Sequence, residues 1–204
     1  MIITDIERTK RGRYSVFADG EFFAALHVEI YACADLKVGE EISEERLLEL
    51  KAESERKITR DKALKLLSIK DYSRKVLIEK LERYAEREIC EQTADKMQEL
   101  GLLDDEKYAM AIARDLHNLK GYGNMRIIKY LREKGIDGDL AKEAASQFDE
   151  EEEYEKIKTI LHKKCKKSLS DRKEYEKIFA YLMRMGYNYG SIKTAMSDFM
   201  EDEE

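Results

Sequence analysis

An internal repeat of about fifty residues is the feature that most constrains how this chain can fold. Leu81, Leu131 and Leu182 are separated by 50 and 51 residues, and the positions around each leucine agree in type. The matching positions are the apolar pairs Leu77-Ile78, Ile127-Ile128 and Ile178-Phe179, the small residues Ala85, Gly135 and Gly186, and the alanines Ala94, Ala144 and Ala195. A period of this length fits three short helices per unit. We therefore predict that the leucines and the apolar pairs are buried at equivalent places.

The second copy of the repeat shows most clearly where its helices begin and end. Asp104 is a favourable N-cap residue, and the acidic residues after it suit the electropositive start of a helix. Gly121-Tyr122-Gly123 predicts a tight turn between this helix and the next. Gly135 follows the second helix, and Gly186 occupies the matching position in the third copy. Both glycines are predicted to end helices with a positive φ.

The first 26 residues differ from the rest because their pattern indicates β-strands. Asp19-Gly20 lies between two apolar runs, which is a strong hairpin signal. Residues 1–8 alternate between apolar and polar types well enough to form a third short strand. The run Lys10-Arg11-Gly12-Arg13 is then an exposed basic turn between two strands.

Helices are predicted from there onward, at residues 28–34 and after Ser43. The charged stretch at residues 52–60 is either a solvated helix or a linker. We predict an all-α fold of three tandem three-helix-bundle repeats in an elongated curved array, preceded by a small β-hairpin and helix module. The predicted domains are residues 1–58 for the N-terminal module and residues 59–101, 102–148 and 149–204 for the three repeats, the last with an acidic tail.

Charge and cysteine usage limit the classes of function. The net charge of −6 argues against a protein that binds nucleic acid by bulk electrostatics, so any phosphate contact must come from a local basic face. Cys33, Cys90 and Cys165 show no paired spacing and are expected to be reduced thiols of a cytoplasmic protein. The start of the chain has neither a signal peptide pattern nor a long apolar run, so no membrane association is expected.

No residue pattern predicts catalysis, a metal or a cofactor. The histidines His27, His117 and His162 are far apart in sequence. His162 and Cys165 share a helix face, but a zinc site needs a second pair of ligands. Gly121-Tyr122-Gly123 lacks the further glycine and the lysine of a phosphate-binding loop. We therefore expect a protein that is not an enzyme and has no cofactor.

A charged helix is predicted at the start of the third copy. Residues 149–153 are acidic and residues 163–167 are basic, which complements the helix macrodipole without any ligand. A nucleic-acid patch at the lysines is the less favoured alternative.

Several short segments carry a family resemblance, namely Leu66-Leu67, Asp71-Tyr72-Ser73, Glu79-Lys80-Leu81, the run at residues 101–109 and the run at residues 126–136. Together they resemble the RecX family of bacterial regulators, and the resemblance covers most of the chain. The resemblance implies a protein that binds the RecA recombinase filament on single-stranded DNA and inhibits its activity. It also implies a place in homologous recombination, DNA repair and the SOS response.

Basic and aromatic residues gather at the second helix of the second copy, and this gives a candidate partner-binding surface. The candidates are Lys120, Tyr122, Arg126, Lys129, Arg132 and Lys134, with Arg184 in the third copy. A merely solvated helix face explains the same residues equally well. The alternative function is a helical DNA-binding module, because three short helices with a turn also describe such domains. The acidic net charge favours the protein-binding regulator, which we expect to be a monomer with weak direct DNA contact.

Overall fold

The structure is a computed structural model of the 204-residue chain, and it describes residues 1–165, 169 and 171–201. The chain forms two compact units, Met1–Leu103 and Asp104–Glu204. The strands are β1 (Ile3–Arg8), β2 (Tyr14–Ala18) and β3 (Glu21–Leu26). The helices are α1 (Val28–Ala34), α2 (Glu44–Leu67), α3 (Arg74–Leu81), α4 (Arg87–Glu99), α5 (Asp105–Lys120), α6 (Asn124–Glu133), α7 (Gly138–Ala145), α8 (Glu150–Lys164), α9 (Arg172–Met185) and α10 (Tyr189–Glu201).

The N-terminal module is a three-stranded antiparallel sheet in the order β1-β2-β3. Asp19 and Gly20 join β2 to β3 with φ values of 50° and 87°, which matches the right-handed twist of a two-residue hairpin. The inner face of the sheet packs against the first helices, with Val16 and Leu26 buried beside Leu47. The predicted third strand is therefore present as β1.

Helix α2 decides between the two alternatives for the charged stretch at residues 52–60. The stretch is helical and is not a linker, because it lies within the 24-residue helix α2. Ser54 and Thr59 are buried there although their side chains are polar, so the pattern of apolar residues does not mark these positions as core. The Ser54 hydroxyl accepts a hydrogen bond from the His27 amide at 2.7 Å, which ties α2 to the sheet module. The predicted division between residues 58 and 59 therefore falls inside a helix.

The three-helix repeats occur as predicted, and each has its own cluster of buried side chains. Leu81, Leu131 and Leu182 have no exposed surface and lie on α3, α6 and α9. The matching alanines on α4, α7 and α10 are equally buried. Two predicted core positions, Ile128 and Phe179, are only half-buried at the edges of their clusters.

Further predictions concern the ends of helices. Gly135 and Gly186 have φ values of 84° and 87°, which confirms the predicted left-handed conformation. Residues 202–204 of the predicted acidic tail lie outside the described residues, as do Lys166 and Lys167 of the basic run.

None of the described helices combines the length and the hydropathy needed to cross a membrane.

Candidate functional site

Helix α6 carries most of the candidate residues. Gly121 ends α5 with a φ of 64°, and α6 begins three residues later at Asn124. Ile127 and Leu131 of α6 face the core of the second repeat, so the opposite side of the helix is left to solvent. Met125 and Lys129 lie on that exposed side, and 65% of Met125 is accessible.

A groove of about 640 Å³ separates this exposed side from α9. Its lining includes Tyr122, Met125, Arg126, Lys129, Met183 and Arg184. Four of the candidate residues therefore meet in one place, namely Tyr122, Arg126, Lys129 and Arg184. The other three lie outside the groove: Lys120 is exposed at the end of α5, Arg132 is exposed on α6, and the Lys134 ammonium lies 5.3 Å from the centre of the Tyr130 ring.

The Arg126 guanidinium interacts with other groups of the protein itself. Its guanidinium carbon lies 3.9 Å from the centre of the Tyr122 ring, and Nη2 donates to the Tyr122 hydroxyl at 3.1 Å. Nη1 donates to the main-chain carbonyl of Arg184 at 3.1 Å, across the junction of the second and third repeats. Arg126 therefore holds the floor of the groove together. The exposed positive charge of the groove belongs to Lys129 and Arg184, for which the described residues supply no ion-pair partner.

The junction beneath the groove is made of backbone. The Gly123 amide donates to the Met185 carbonyl at 2.9 Å, and the Met125 amide donates to the Gly186 carbonyl at 3.1 Å. The Tyr187 hydroxyl donates to the Gly121 carbonyl at 2.9 Å. The start of α6 and the end of α9 are therefore fixed to each other, which fixes the two walls of the groove.

Glu153 is a structural residue of this junction that the sequence analysis missed. It belongs to the acidic run of α8, yet only 4% of it is exposed. Its carboxylate accepts a hydrogen bond from the Asn124 amide at 2.8 Å, at the start of α6, where Gly123 offers no side-chain cap. Burial raises the pKa of Glu153, although the backbone amides of Asn124 and Asn188 oppose that shift. Glu153 therefore has a structural partner in addition to its place in the first turn of α8.

His117 is a second buried titratable residue. Its ring stacks on Phe148 with 4.0 Å between ring centres, and burial lowers its pKa. Within the described part of the chain its Nδ1 has no hydrogen-bond partner. No group of three or more histidine, cysteine or acidic residues among the described positions could hold a metal ion.

Comparison with known proteins shows which family has this architecture. Three family models match the chain: the regulatory protein RecX N-terminal domain at residues 1–43, the second three-helix domain of RecX at residues 104–144 and the third at residues 150–196. The regulatory protein RecX of Clostridioides difficile is 32% identical over 207 residues, which cover 100% of this chain and 98% of that protein. This chain belongs to the RecX family.

Other RecX proteins agree with this assignment. The Bacillus subtilis regulatory protein RecX is 27% identical over 99% of this chain and 79% of its own length. A crystal structure of RecX from Lactobacillus salivarius has a TM-score of 0.65 and 26% identity, and covers 72% of this chain and 97% of its own. A second RecX crystal structure has a TM-score of 0.69 over 98% of both chains, at 23% identity, which supports the fold. In this RecX chain the groove lies where the second and third matched domains meet.

Proposed function

We propose that this protein binds the RecA recombinase filament on single-stranded DNA and restrains its activity in homologous recombination and DNA repair. Membership of the RecX family supports the choice of partner. The groove between α6 and α9 is the observation that carries the choice of surface. It combines exposed apolar side chains with unpaired positive charge on a fixed backbone.

The apolar part of the groove suits a protein partner. Met125 and Met183 are 65% and 44% exposed and both line the groove. Exposed methionines are flexible and polarisable, so they can adapt to an apolar surface of a partner. Tyr122 adds an aromatic side chain, and aromatic residues are enriched at the centres of protein interfaces. A surface of this kind supports binding more than catalysis.

The charged part of the groove suits steering and orientation. The whole chain carries a net charge of −6, and the groove lining includes one acid, Glu133. Lys129 and Arg184 outnumber it, so they form a local positive site on an acidic protein. The repeats add a second advantage, because similar units can make several modest contacts with a polymer that itself repeats. Binding through individually weak contacts can then become tight.

The test compares two double charge reversals taken from the sequence-predicted residues. Lys129→Glu with Arg184→Glu changes the groove, and Lys120→Glu with Arg132→Glu makes the same change in net charge outside it. Inhibition of the DNA-dependent ATP hydrolysis of RecA is the measurement. The groove variant should need about tenfold more protein for the same inhibition, which corresponds to about 1.4 kcal/mol of binding free energy. The loss should be larger at low salt than at high salt.

Each outcome has a distinct meaning. If the folded groove variant inhibits RecA as strongly as the unmodified protein does, the contact lies outside the groove. No inhibition by the unmodified protein, under conditions in which the filament forms, would contradict the proposed function itself. Tight binding to naked DNA without RecA, lost steeply as salt rises and lost in the groove variant, would favour the helical DNA-binding alternative.

A further inference from the structure

The turn between β1 and β2 carries a concentration of positive charge that the proposed groove does not use. The six residues from Arg8 to Arg13 include Lys10 and Arg11 and contain four cations and no acid. We propose that this turn is a contact site for the phosphate backbone of nucleic acid. The proposal does not depend on RecA, because it concerns only the N-terminal module.

The cations of the turn are available to an external anion. Arg8, Lys10 and Arg11 are exposed, and Arg13 is half-buried. None of the four forms an ion pair with any residue that the structure describes, whereas cations elsewhere in the module, such as Arg46 and Lys57, do. Unpaired cations that are close together raise the local potential even on an acidic protein.

The backbone of the turn is held by its own hydrogen bonds. The Thr9 amide donates to the Arg13 carbonyl at 2.8 Å, and the Gly12 amide donates to the Thr9 carbonyl at 3.0 Å. The Thr9 hydroxyl accepts from the Arg13 amide at 3.0 Å. Gly12 has a φ of 76°, which closes the turn. Because the backbone of the turn is already ordered, binding has to order only the side chains.

The base of the turn is also anchored. Tyr14, which follows Arg13, stacks on Tyr31 of α1 with 4.0 Å between the ring centres and 15° between the planes. Arg8 pairs with Tyr14 across β1 and β2, so it projects from the same end of the hairpin. The basic turn is therefore a supported projection from the sheet module.

The chemistry of the turn favours nucleic acid over an acidic protein. Residues 8–13 contain no apolar or aromatic side chain, whereas protein interfaces take most of their energy from such anchors. Lysine and arginine are the residues that most often contact phosphate oxygens, and such contacts carry no sequence information. We therefore expect binding that is independent of base sequence and strongly dependent on salt.

The experiment uses the full chain and two double charge reversals. Lys10→Glu with Arg11→Glu changes the turn, and Lys51→Glu with Arg56→Glu makes the same change in charge at exposed positions of α2. Binding to fluorescein-labelled oligothymidine and to a labelled duplex is measured by anisotropy from about 50 to about 200 mM salt. Thermal unfolding checks that each variant is folded. If the turn reversal does not fold, Lys10→Gln with Arg11→Gln replaces it.

Loss of two phosphate contacts gives a defined result. The slope of log affinity against log salt should become shallower by about 1.4 on the single strand or about 1.8 on the duplex. The α2 variant should keep the slope of the unmodified protein. Equal slopes for the turn variant and the unmodified protein, or no binding by the unmodified protein at about 50 mM salt, would overturn the assignment. Equally tight binding to polyglutamate would overturn it too, because the turn would then be a general anion surface.

Discussion

Gly123 and Gly186 touch backbone to backbone in the Asp104–Glu204 unit. A Cβ atom on Gly123 would lie 2.5 Å from the Gly186 carbonyl oxygen and 2.6 Å from the Tyr187 nitrogen. Hydrogen bonds from Gly123 and Met125 cross the same contact. Because backbone atoms cannot rotate away as a side chain can, the junction of the second and third repeats has no space for any residue larger than glycine at position 123.

Gly123→Ala should therefore destabilise the protein by about 1–3 kcal/mol, as overpacking does in a closely packed core. The free energy of unfolding, measured with urea, checks this value. Gly138→Ala is the matched control, since a Cβ atom there would meet only the Arg132 side chain, at 4.0 Å. This control should be neutral or stabilising by about 0.4–1 kcal/mol. Equal effects of the two substitutions would show that the close contact does not limit residue 123.

The sequence predicts the glycines but not this contact. Gly121-Tyr122-Gly123 and Gly186 stand out as turn residues because glycine adopts conformations that end helices. The contact between Gly123 and Gly186 joins segments more than sixty residues apart, and no local sequence pattern predicts such a contact. The same holds for Arg126, which was predicted as a binding residue and whose hydrogen bond to the Arg184 carbonyl spans the junction. Long-range partners decide how such residues are used.

Leu131→Ala should cost about 2–5 kcal/mol in the free energy of unfolding, because it removes a fully buried side chain from the core of the second repeat. Leu119→Ala is the control on the neighbouring helix, where 77% of the leucine is exposed. Its effect should stay within about 0.5 kcal/mol. Chemical denaturation followed by circular dichroism measures both. If Leu131→Ala lowers the free energy of unfolding only slightly, the repeat alignment does not identify the core.

The alignment succeeds at Leu131 and its equivalents because helical spacing and burial are recorded in residue type. It is less accurate at Ile128 and Phe179, which have apolar side chains but lie at the edges of their clusters. It also misses the course of α2, whose buried face uses Ser54 and Thr59. Residue type alone does not separate a buried serine that accepts a backbone hydrogen bond from a solvated one.

Gly135→Val should destabilise the second repeat through its backbone conformation. The φ of Gly135 is 84°, a region that costs an L-residue about 1–2 kcal/mol and is least suited to a β-branched side chain. Gly135→Asn should cost less, because asparagine enters the left-handed region more readily. The melting temperature should be highest with glycine at position 135, lower with asparagine and lowest with valine. A valine variant as stable as the asparagine variant would contradict the backbone explanation.

Glu153 should make the stability of the protein depend on pH in a defined direction. Its ordinary pKa is 4.5, and burial raises the pKa in the folded state. Between these two values the folded state binds more protons than the unfolded state, so the free energy of unfolding falls as pH rises. Above the folded pKa the protein holds a buried carboxylate, whose cost is reduced by the hydrogen bond from the Asn124 amide.

Glu153→Gln separates the charge from the hydrogen bond. The glutamine carbonyl can still accept from the Asn124 amide, so the variant should gain stability relative to the native protein as pH rises above about 4.5 and level off above the folded pKa. Glu153→Ala has no charge and no acceptor, and should cost about 1–3 kcal/mol by leaving the amide unpaired. Unfolding free energies of the three proteins, measured across this pH range, give both differences. A glutamine variant whose relative stability falls with rising pH would mean that the folded carboxylate is favoured, so that the backbone amides outweigh burial in setting its pKa.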